Sequence, residues 1–164
     1  MARRGRPPID RPRLDHGTPE LRAKRLFAIG PERPNWPKPN PEDGESVLGV
    51  LLWRGSLAPS YEMSKRMYDA GVAFAGKWIL VYPKSFPGNT LRGLQPGSSS
   101  EADVDEARRV LTEMSKELNK YGRGVFDAVV NCCVYNSIQP RKFEKLRTGL
   151  CRLIEWNNSA RRAA

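Results

Sequence analysis

SEADVDEARRVLTEMSKELNKY, residues 100–121, is the stretch whose pattern bears most directly on the fold. Ser100 and Asp103 have the spacing of a capping box, and Glu101 and Asp105 add negative charge near the N-terminus, where it offsets the helix dipole. Apolar residues then recur at spacings of three and four, at Val104, Ala107, Leu111, Met114, Leu118 and Tyr121. This pattern predicts a long amphipathic helix. Because its stripe also resembles a heptad seam, homo-oligomerisation through this helix stays an alternative to packing in a core.

Sequence on both sides of this helix has the same periodicity. Short breaks rich in Gly, Pro or Ser interrupt it at Gly55, at Gly122 and Gly124, and at 137–140. The further segments that these breaks delimit are 46–55, 58–82, 125–136 and 141–158. The end of the second of them, WILVYP, is also compatible with a short strand. The sequence therefore predicts an all-α body, a helical bundle of about five helices over residues 46–158.

The 58–82 segment is apolar on two faces, which places it near the centre of the predicted bundle. One face carries Tyr61, Tyr68, Val72, Ala75, Ile79 and Tyr82, and the other carries Met63, Met67, Ala70 and Phe74. The residues that follow, 83–100, are rich in Pro, Gly and Ser and predict a long surface loop.

The first 45 residues differ in composition from the body, since they hold nine of the 14 prolines. Proline fixes φ and removes an amide donor, so we expect residues 1–45 to form a basic, disordered, proline-rich arm. A short helix beginning near Thr18 is its one predicted element. Trp36 is unusual in such a segment, and it docks either on the body or on a protein partner of the 30–44 tether. At the other end, residues 159–164 are expected to form a flexible basic tail.

Charge is concentrated at the two ends of the chain, whose formal net charge is +10. Residues 1–25 hold eight basic and three acidic residues, residues 141–164 hold seven and two, and the stretch between them holds 13 of each sign. Clusters of Lys and Arg gain affinity for polyanions by releasing counterions from phosphate. The distribution therefore favours a polyanionic partner, with simple solubility as the alternative.

The residue types that enzymes use in catalysis form no catalytic pattern here. The one histidine, His16, lies in the arm, and no Gly-rich segment has the spacing of a phosphate-binding loop. Cys132, Cys133 and Cys151 lie within apolar patterns without CxxC spacing, which is typical of buried, reduced thiols. We expect a protein that is not an enzyme and that holds neither a metal nor a cofactor.

No targeting or membrane segment is expected. The start MARRGRPPID is not followed by the apolar stretch of a signal peptide. The apolar runs VLGVLLW and WILVY are far shorter than the ~20 residues that span a bilayer. These features favour a cytoplasmic protein that does not bind membranes.

The block Arg4-Gly5-Arg6-Pro7 resembles the core of the AT-hook, a motif that binds the minor groove of A/T-rich DNA. Glycine lets the backbone approach the groove floor, and arginines on an extended backbone enter a groove of enhanced negative potential. The resemblance implies minor-groove binding by these four residues. Further cations of the predicted DNA-binding arm are Arg3, Arg11 and Arg13. Sequence-independent phosphate binding is one alternative, and a role without nucleic acid is another.

Segments 125–136 and 141–158 together have the helix–break–helix form of a DNA reader. The second segment carries basic residues on the side opposite its apolar stripe. We hypothesise that four of these cations contact DNA phosphate: Arg141, Lys142, Lys145 and Arg152. The alternative is that they form the solvated face of a helical bundle.

Longer patterns resemble proteins of phage loci. The start MARRGRP followed by GTPELRAKR is similar to the N-termini of small bacteriophage and prophage proteins, among them small terminase subunits. LGVLLWRGSLAPSYEMSKRMYDAGVAFAGKW and VVNCCVYN with KFEKLRTGLCRLIEW resemble uncharacterised helical proteins of phage-derived bacterial loci. The resemblance implies a DNA-binding protein that works in regulation or DNA packaging, in a bacterial or phage-infected cell.

We therefore expect a non-enzymatic DNA-binding protein that uses an AT-hook-like arm and a basic C-terminal helix. The alternative, of a different class, is a protein–protein interaction or structural adaptor module that does not bind nucleic acid. Binding of single-stranded nucleic acid is a third interpretation, with Trp53, Trp78 or Trp156 as stacking platforms.

Overall fold

A computed structural model describes residues 35–40, 43–44, 46–83 and 100–163, with side chains as far as Ser159. The described residues form five α-helices: α1 (Val47–Trp53), α2 (Tyr61–Val81), α3 (Glu101–Asn119), α4 (Val125–Cys133) and α5 (Phe143–Ala163). A single 3-10 turn, Pro140–Lys142, leads into α5. None of the described residues lies in a β-strand, and WILVYP continues α2 as far as Val81. The prediction of an all-α bundle of about five helices is confirmed.

Serine side chains fix the starts of the first three helices. The Ser46 hydroxyl accepts a hydrogen bond from the Gly49 amide, and the Ser60 hydroxyl accepts one from the Met63 amide. At α3 the predicted capping box is present: Ser100 Oγ accepts from the Asp103 amide at 3.2 Å, and Asp103 Oδ2 accepts from the Ser100 amide at 3.0 Å. Each bond satisfies an amide that the helix itself leaves unpaired.

Two glycines form the turn between α3 and α4. Gly122 has φ 121° and Gly124 has φ 86°, which are backbone conformations that residues with a Cβ rarely adopt. Gly124 precedes α4 directly, and no side chain caps this helix. The predicted break at this position is confirmed.

The core lies between α2, α3, α4 and α5, with α1 packed against α2 and α4. Its largest fully buried side chains come from every helix and include Leu52, Phe74, Met114, Leu118, Val129, Leu146 and Leu150. In α2 the buried side is Met67, Ala70 and Phe74 with Ala75 and Ile79. The tyrosines of the other predicted face lie at its margin, and Tyr82 is exposed. Bulky amphipathic rings keep their hydroxyl groups near water, which explains the difference.

Close approach of α5 to α4 depends on Gly149. A Cβ at this position would lie 2.4 Å from Cγ2 of Val129, a distance at which atoms overlap. The missing side chain therefore lets the two helices pack more closely than any larger residue would allow.

Trp36 packs on the body, which decides between the two interpretations of its role. Its ring lies 5.3 Å from that of Tyr61 and 6.4 Å from that of Trp53, both in edge-to-face geometry. Beside this cluster, Asp43 accepts hydrogen bonds from Trp53 Nε1 at 2.8 Å and from the Tyr68 hydroxyl at 3.0 Å. The part of the proline-rich segment that contains Trp36 is thus attached to the α1–α2 corner.

Other predictions for the ends and the long loop have mixed outcomes. The backbone of 159–163 continues α5, where we had predicted a separate flexible tail. Residues 1–34, with the short helix predicted near Thr18, lie outside the described residues, as do residues 84–99 of the predicted loop. In the part of the chain that the structure describes, no helix combines the length and apolarity needed to cross a membrane.

Candidate nucleic-acid interface

Basic residues of α5 and its leading turn lie on different sides of the helix. Lys145 and Arg152 are separated by seven residues, so they lie on the same face of α5, and Arg141 precedes the helix in the 3-10 turn. Arg147 lies on another side. Lys145 and Arg152 contact the segment after α3, whereas Arg147 contacts the loop after α1. The two groups therefore have different roles.

Lys145 lies against the α3–α4 turn. Its ammonium donates a hydrogen bond to the carbonyl oxygen of Arg123 at 2.9 Å, and a Cβ at Gly124 would lie 3.5 Å from Nζ. The side chain is exposed. A lysine ammonium has three protons, so this bond leaves two for other acceptors. Lys145 is therefore held in place while its charge stays at the surface.

Arg152 stacks on the aromatic ring of Tyr121, just after α3. Its guanidinium carbon lies 4.1 Å from the ring centroid of Tyr121, and Nη1 donates to Glu155 Oε2 at 2.5 Å. This hydrogen bond raises the pKa of Arg152. The Tyr121 hydroxyl in turn donates to Glu117 Oε1 at 3.3 Å. The ring is thus fixed between an arginine and a carboxylate.

Two further cations complete this region. Lys120, at the end of α3, donates to Glu117 Oε2 at 2.6 Å, and Arg123 is exposed between the two glycines. We call the group formed by Lys120, Tyr121, Arg123, Lys145 and Arg152 the turn surface. It holds four positive charges, of which Lys120 and Arg152 pair with the carboxylates of Glu117 and Glu155.

The structure brings only part of the predicted phosphate-binding set to this surface. Lys145 and Arg152 belong to it. Arg141 and Lys142 lie in the 3-10 turn, the first exposed and the second half-buried, and among residues 35–40, 43–44, 46–83 and 100–159 neither makes an ion pair.

The predicted set omits Lys120 and Arg123, which belong to the turn that contacts α5. The signal that could have identified them is Arg123 between two glycines, since an arginine in such a turn projects from the surface. The contact of this turn with Lys145 depends on how α4 packs against α5, so no pattern of neighbouring residues predicts it.

Arg147 has a structural role. Two of its guanidinium nitrogens donate to the carbonyl oxygen of Ser56, at 2.9 Å and 2.5 Å. Its guanidinium also lies 4.7 Å from the ring centroid of Phe143 and donates to Glu144 at 3.2 Å. These contacts tie α5 to the loop after α1, so Arg147 is unavailable to a ligand on the turn surface.

Predicted contacts of the arm lie outside the described residues. This applies to the AT-hook-like block and its neighbours: Arg3, Arg4, Gly5, Arg6, Pro7, Arg11 and Arg13. Their role in DNA binding stays a prediction.

The tryptophans predicted as stacking platforms are half-buried. Trp53 and Trp78 take part in aromatic clusters, and Trp156 packs against the core. Trp78, for example, contacts the rings of Phe74, Tyr82 and Phe126. The exposed aromatic side chain among the cations is instead Tyr121, which is 39% exposed.

The three cysteines form no disulfide bond with one another. Cys132 and Cys133 are buried as predicted, and Cys151 is half-buried. A hydrogen bond with Cys132 and burial both raise the pKa of Cys133, and burial raises that of Cys151. High pKa values favour protonated, unreactive thiols. Within the described ranges, no group of three or more His, Cys, Asp or Glu side chains is placed to hold a metal ion.

Comparison with protein-family models, with curated proteins and with solved structures finds nothing that matches this chain.

Proposed function

We propose that this chain is a non-enzymatic DNA-binding protein, of the phage or prophage type that its sequence resembles. In this proposal the turn surface binds phosphates and the basic arm makes a second contact, in the minor groove or along the backbone. The observation that carries the proposal is that α5 places Lys145 and Arg152 against the turn segment that carries Lys120 and Arg123.

Electrostatics supports a polyanionic ligand for this surface. Two of its four cations pair with carboxylates, while Arg123 and Lys145 make no ion pair with any of the described residues. Each cation that neutralises a phosphate releases counterions, which adds about 0.9 to the slope of log K against log salt for duplex DNA. Lys145 and Arg152 are already held by Arg123 and Tyr121, so binding would cost them less side-chain entropy than it costs an unrestrained lysine or arginine.

Trp36 bears on the alternative of a protein interaction module. A tryptophan in the tether was the feature that most favoured a protein partner. Because its ring packs against Trp53 and Tyr61, that feature supports the fold rather than an interface. The DNA-binding proposal therefore has the stronger support.

The test is a salt series of binding to a labelled duplex, with the full chain and two charge-matched variants. Lys145→Gln/Arg152→Gln removes two cations of the turn surface. Lys65→Gln/Arg66→Gln removes two from α2, where Arg66 borders a groove with Ile154 and Asn157, on a different side of α5 from Arg152. We expect the first variant to weaken binding and to reduce the salt slope by about 2, and the second to change neither appreciably.

A third variant tests the arm. Arg4→Ala/Arg6→Ala should reduce any preference for A/T-rich over G/C-rich duplexes while leaving the contribution of the turn surface intact. Equal binding by the wild type and by Lys145→Gln/Arg152→Gln would remove the turn surface from the proposal. Absence of binding by the wild type at low salt would refute DNA binding altogether and favour a protein partner.

A further inference from the structure

Tyr121 is the exposed aromatic ring of the turn surface, and Arg152 lies over it. It is 39% exposed and lies just after α3, directly before Gly122. A Cβ at Gly122 would meet no atom of the described residues within 4 Å, so the backbone beside the ring is uncovered. The exposed part of Tyr121 thus adjoins uncovered backbone at the surface.

The ring is also held in a fixed orientation. Arg152 lies over it at 4.1 Å, and its hydroxyl is hydrogen-bonded to Glu117 at 3.3 Å. Tyr135, which is similarly exposed at 42%, lies after α4 and has no arginine over its ring among the described contacts. An oriented ring loses less entropy when a second ring stacks on it.

We propose that the turn surface binds single-stranded DNA, with an unpaired base stacked on Tyr121 and the adjacent phosphates bound by Lys120, Arg123 and Lys145. The inference rests on the proposed function and names its substrate class. Proteins that bind single strands combine a cationic surface with aromatic side chains on which bases stack, and arginine adds cation–π attraction. A base within a duplex is already stacked on its neighbours, so this ring offers it no comparable gain.

The experiment compares binding of a labelled oligothymidine and of a duplex of equal length at the same salt concentration. It uses the full chain and three variants: Tyr121→Leu, Tyr121→Phe and Tyr135→Leu. We expect Tyr121→Leu to weaken single-strand binding by at least about fivefold, in the range found when a stacking aromatic is removed. Duplex binding should change less than twofold. Tyr121→Phe keeps the ring but loses its hydrogen bond to Glu117, so it should retain more single-strand affinity than Tyr121→Leu. Tyr135→Leu removes a similarly exposed tyrosine elsewhere and should bind like the wild type.

Tyr121→Phe also guards against misfolding, since it keeps the packing of the ring under Arg152. If Tyr121→Leu weakens single-strand and duplex binding equally, or neither, the stacking inference is wrong. In that case a loss of affinity in Lys145→Gln/Arg152→Gln would still support the proposed function. If that double variant binds both DNA forms like the wild type, the turn surface is not the DNA-binding site and the stacking inference is wrong as well.

Discussion

Helices α3 and α5 are both long, amphipathic and highly charged, yet their charges act over different distances. On α3, Arg108 pairs with Asp105 and Arg109 pairs with Glu106, each within one turn of the same helix. On α5, Arg147 reaches the carbonyl of Ser56, 91 residues away, and Lys145 reaches that of Arg123. Charges on α3 thus stabilise their own helix, whereas those on α5 also fix its position in the bundle.

Exposure to solvent determines how much each of these two kinds of interaction stabilises the fold. Exposed ion pairs gain little, because water screens the charges and two long side chains must be ordered. A charged donor bound to a partly buried carbonyl contributes more, because that carbonyl would otherwise lose its hydrogen bonds on folding. The contrast predicts that equal substitutions on the two helices have unequal effects.

The largest effect is expected for Arg147→Met. Methionine keeps much of the apolar stem but removes both hydrogen bonds to Ser56, which we expect to lower the free energy of unfolding by about 1–3 kcal/mol. Urea unfolding followed by circular dichroism measures the loss. The matched control is Arg109→Met on α3, which should leave the midpoint nearly unchanged. Equal losses in the two variants would abolish the distinction between the helices.

A smaller effect is expected for Ser100→Ala at the start of α3. This change removes the hydroxyl that accepts the Asp103 amide, and loss of a serine cap typically costs about 1 kcal/mol. Ser115→Ala, in the middle of the same helix, is the control, because alanine is the better helix former there. Thermal unfolding of the two variants measures the difference. An unchanged melting temperature in Ser100→Ala would show that the fold does not depend on the capping box.

Acid should have the smallest effect, and it should act through α3. Hydrogen bonds from Ser100 lower the pKa of Asp103 below its ordinary value of 3.8, and a hydrogen bond from Arg109 lowers that of Glu106 below 4.5. Carboxyl groups with a lowered pKa in the folded state stabilise it above their unfolded pKa, and this contribution is lost as the pH falls through the folded pKa. Stability should therefore begin to decline below about pH 4.5.

Urea midpoints between pH 7 and about pH 3 measure this decline. Asp103→Asn cannot titrate, so its curve should fall less steeply than that of the wild type. Curves of equal steepness would mean that Asp103 does not contribute to the acid response.

Local patterns were sufficient to predict most of the helices. Two examples are the capping box at Ser100 and Asp103 and the paired glycines of the α3–α4 turn. Each acts within a few residues, so the sequence alone is enough to predict it. The buried face of α2 was harder to predict, because both of its faces are apolar and the bundle determines which one is covered.

The candidate site was predicted less completely than the fold. Arg152 and Lys145 were identified because they lie on the polar side of a strongly periodic helix. Lys120 and Arg123 were missed, since the contact between their turn and α5 is a tertiary one. For the same reason, the hydrogen bonds from Arg147 to the Ser56 carbonyl were not predicted, since the two residues lie 91 positions apart.

The geometry of the turn surface depends on Gly149, which is not part of that surface. Any side chain here would meet Val129 and force α5 outward from α4. Lys145 and Arg152 would move with their helix, away from Arg123 and Tyr121. A related chain could therefore keep every cation and still lose the spacing between them through one added methyl group. The spacing of the cations that a ligand would meet thus depends on an interior residue that the ligand would not contact.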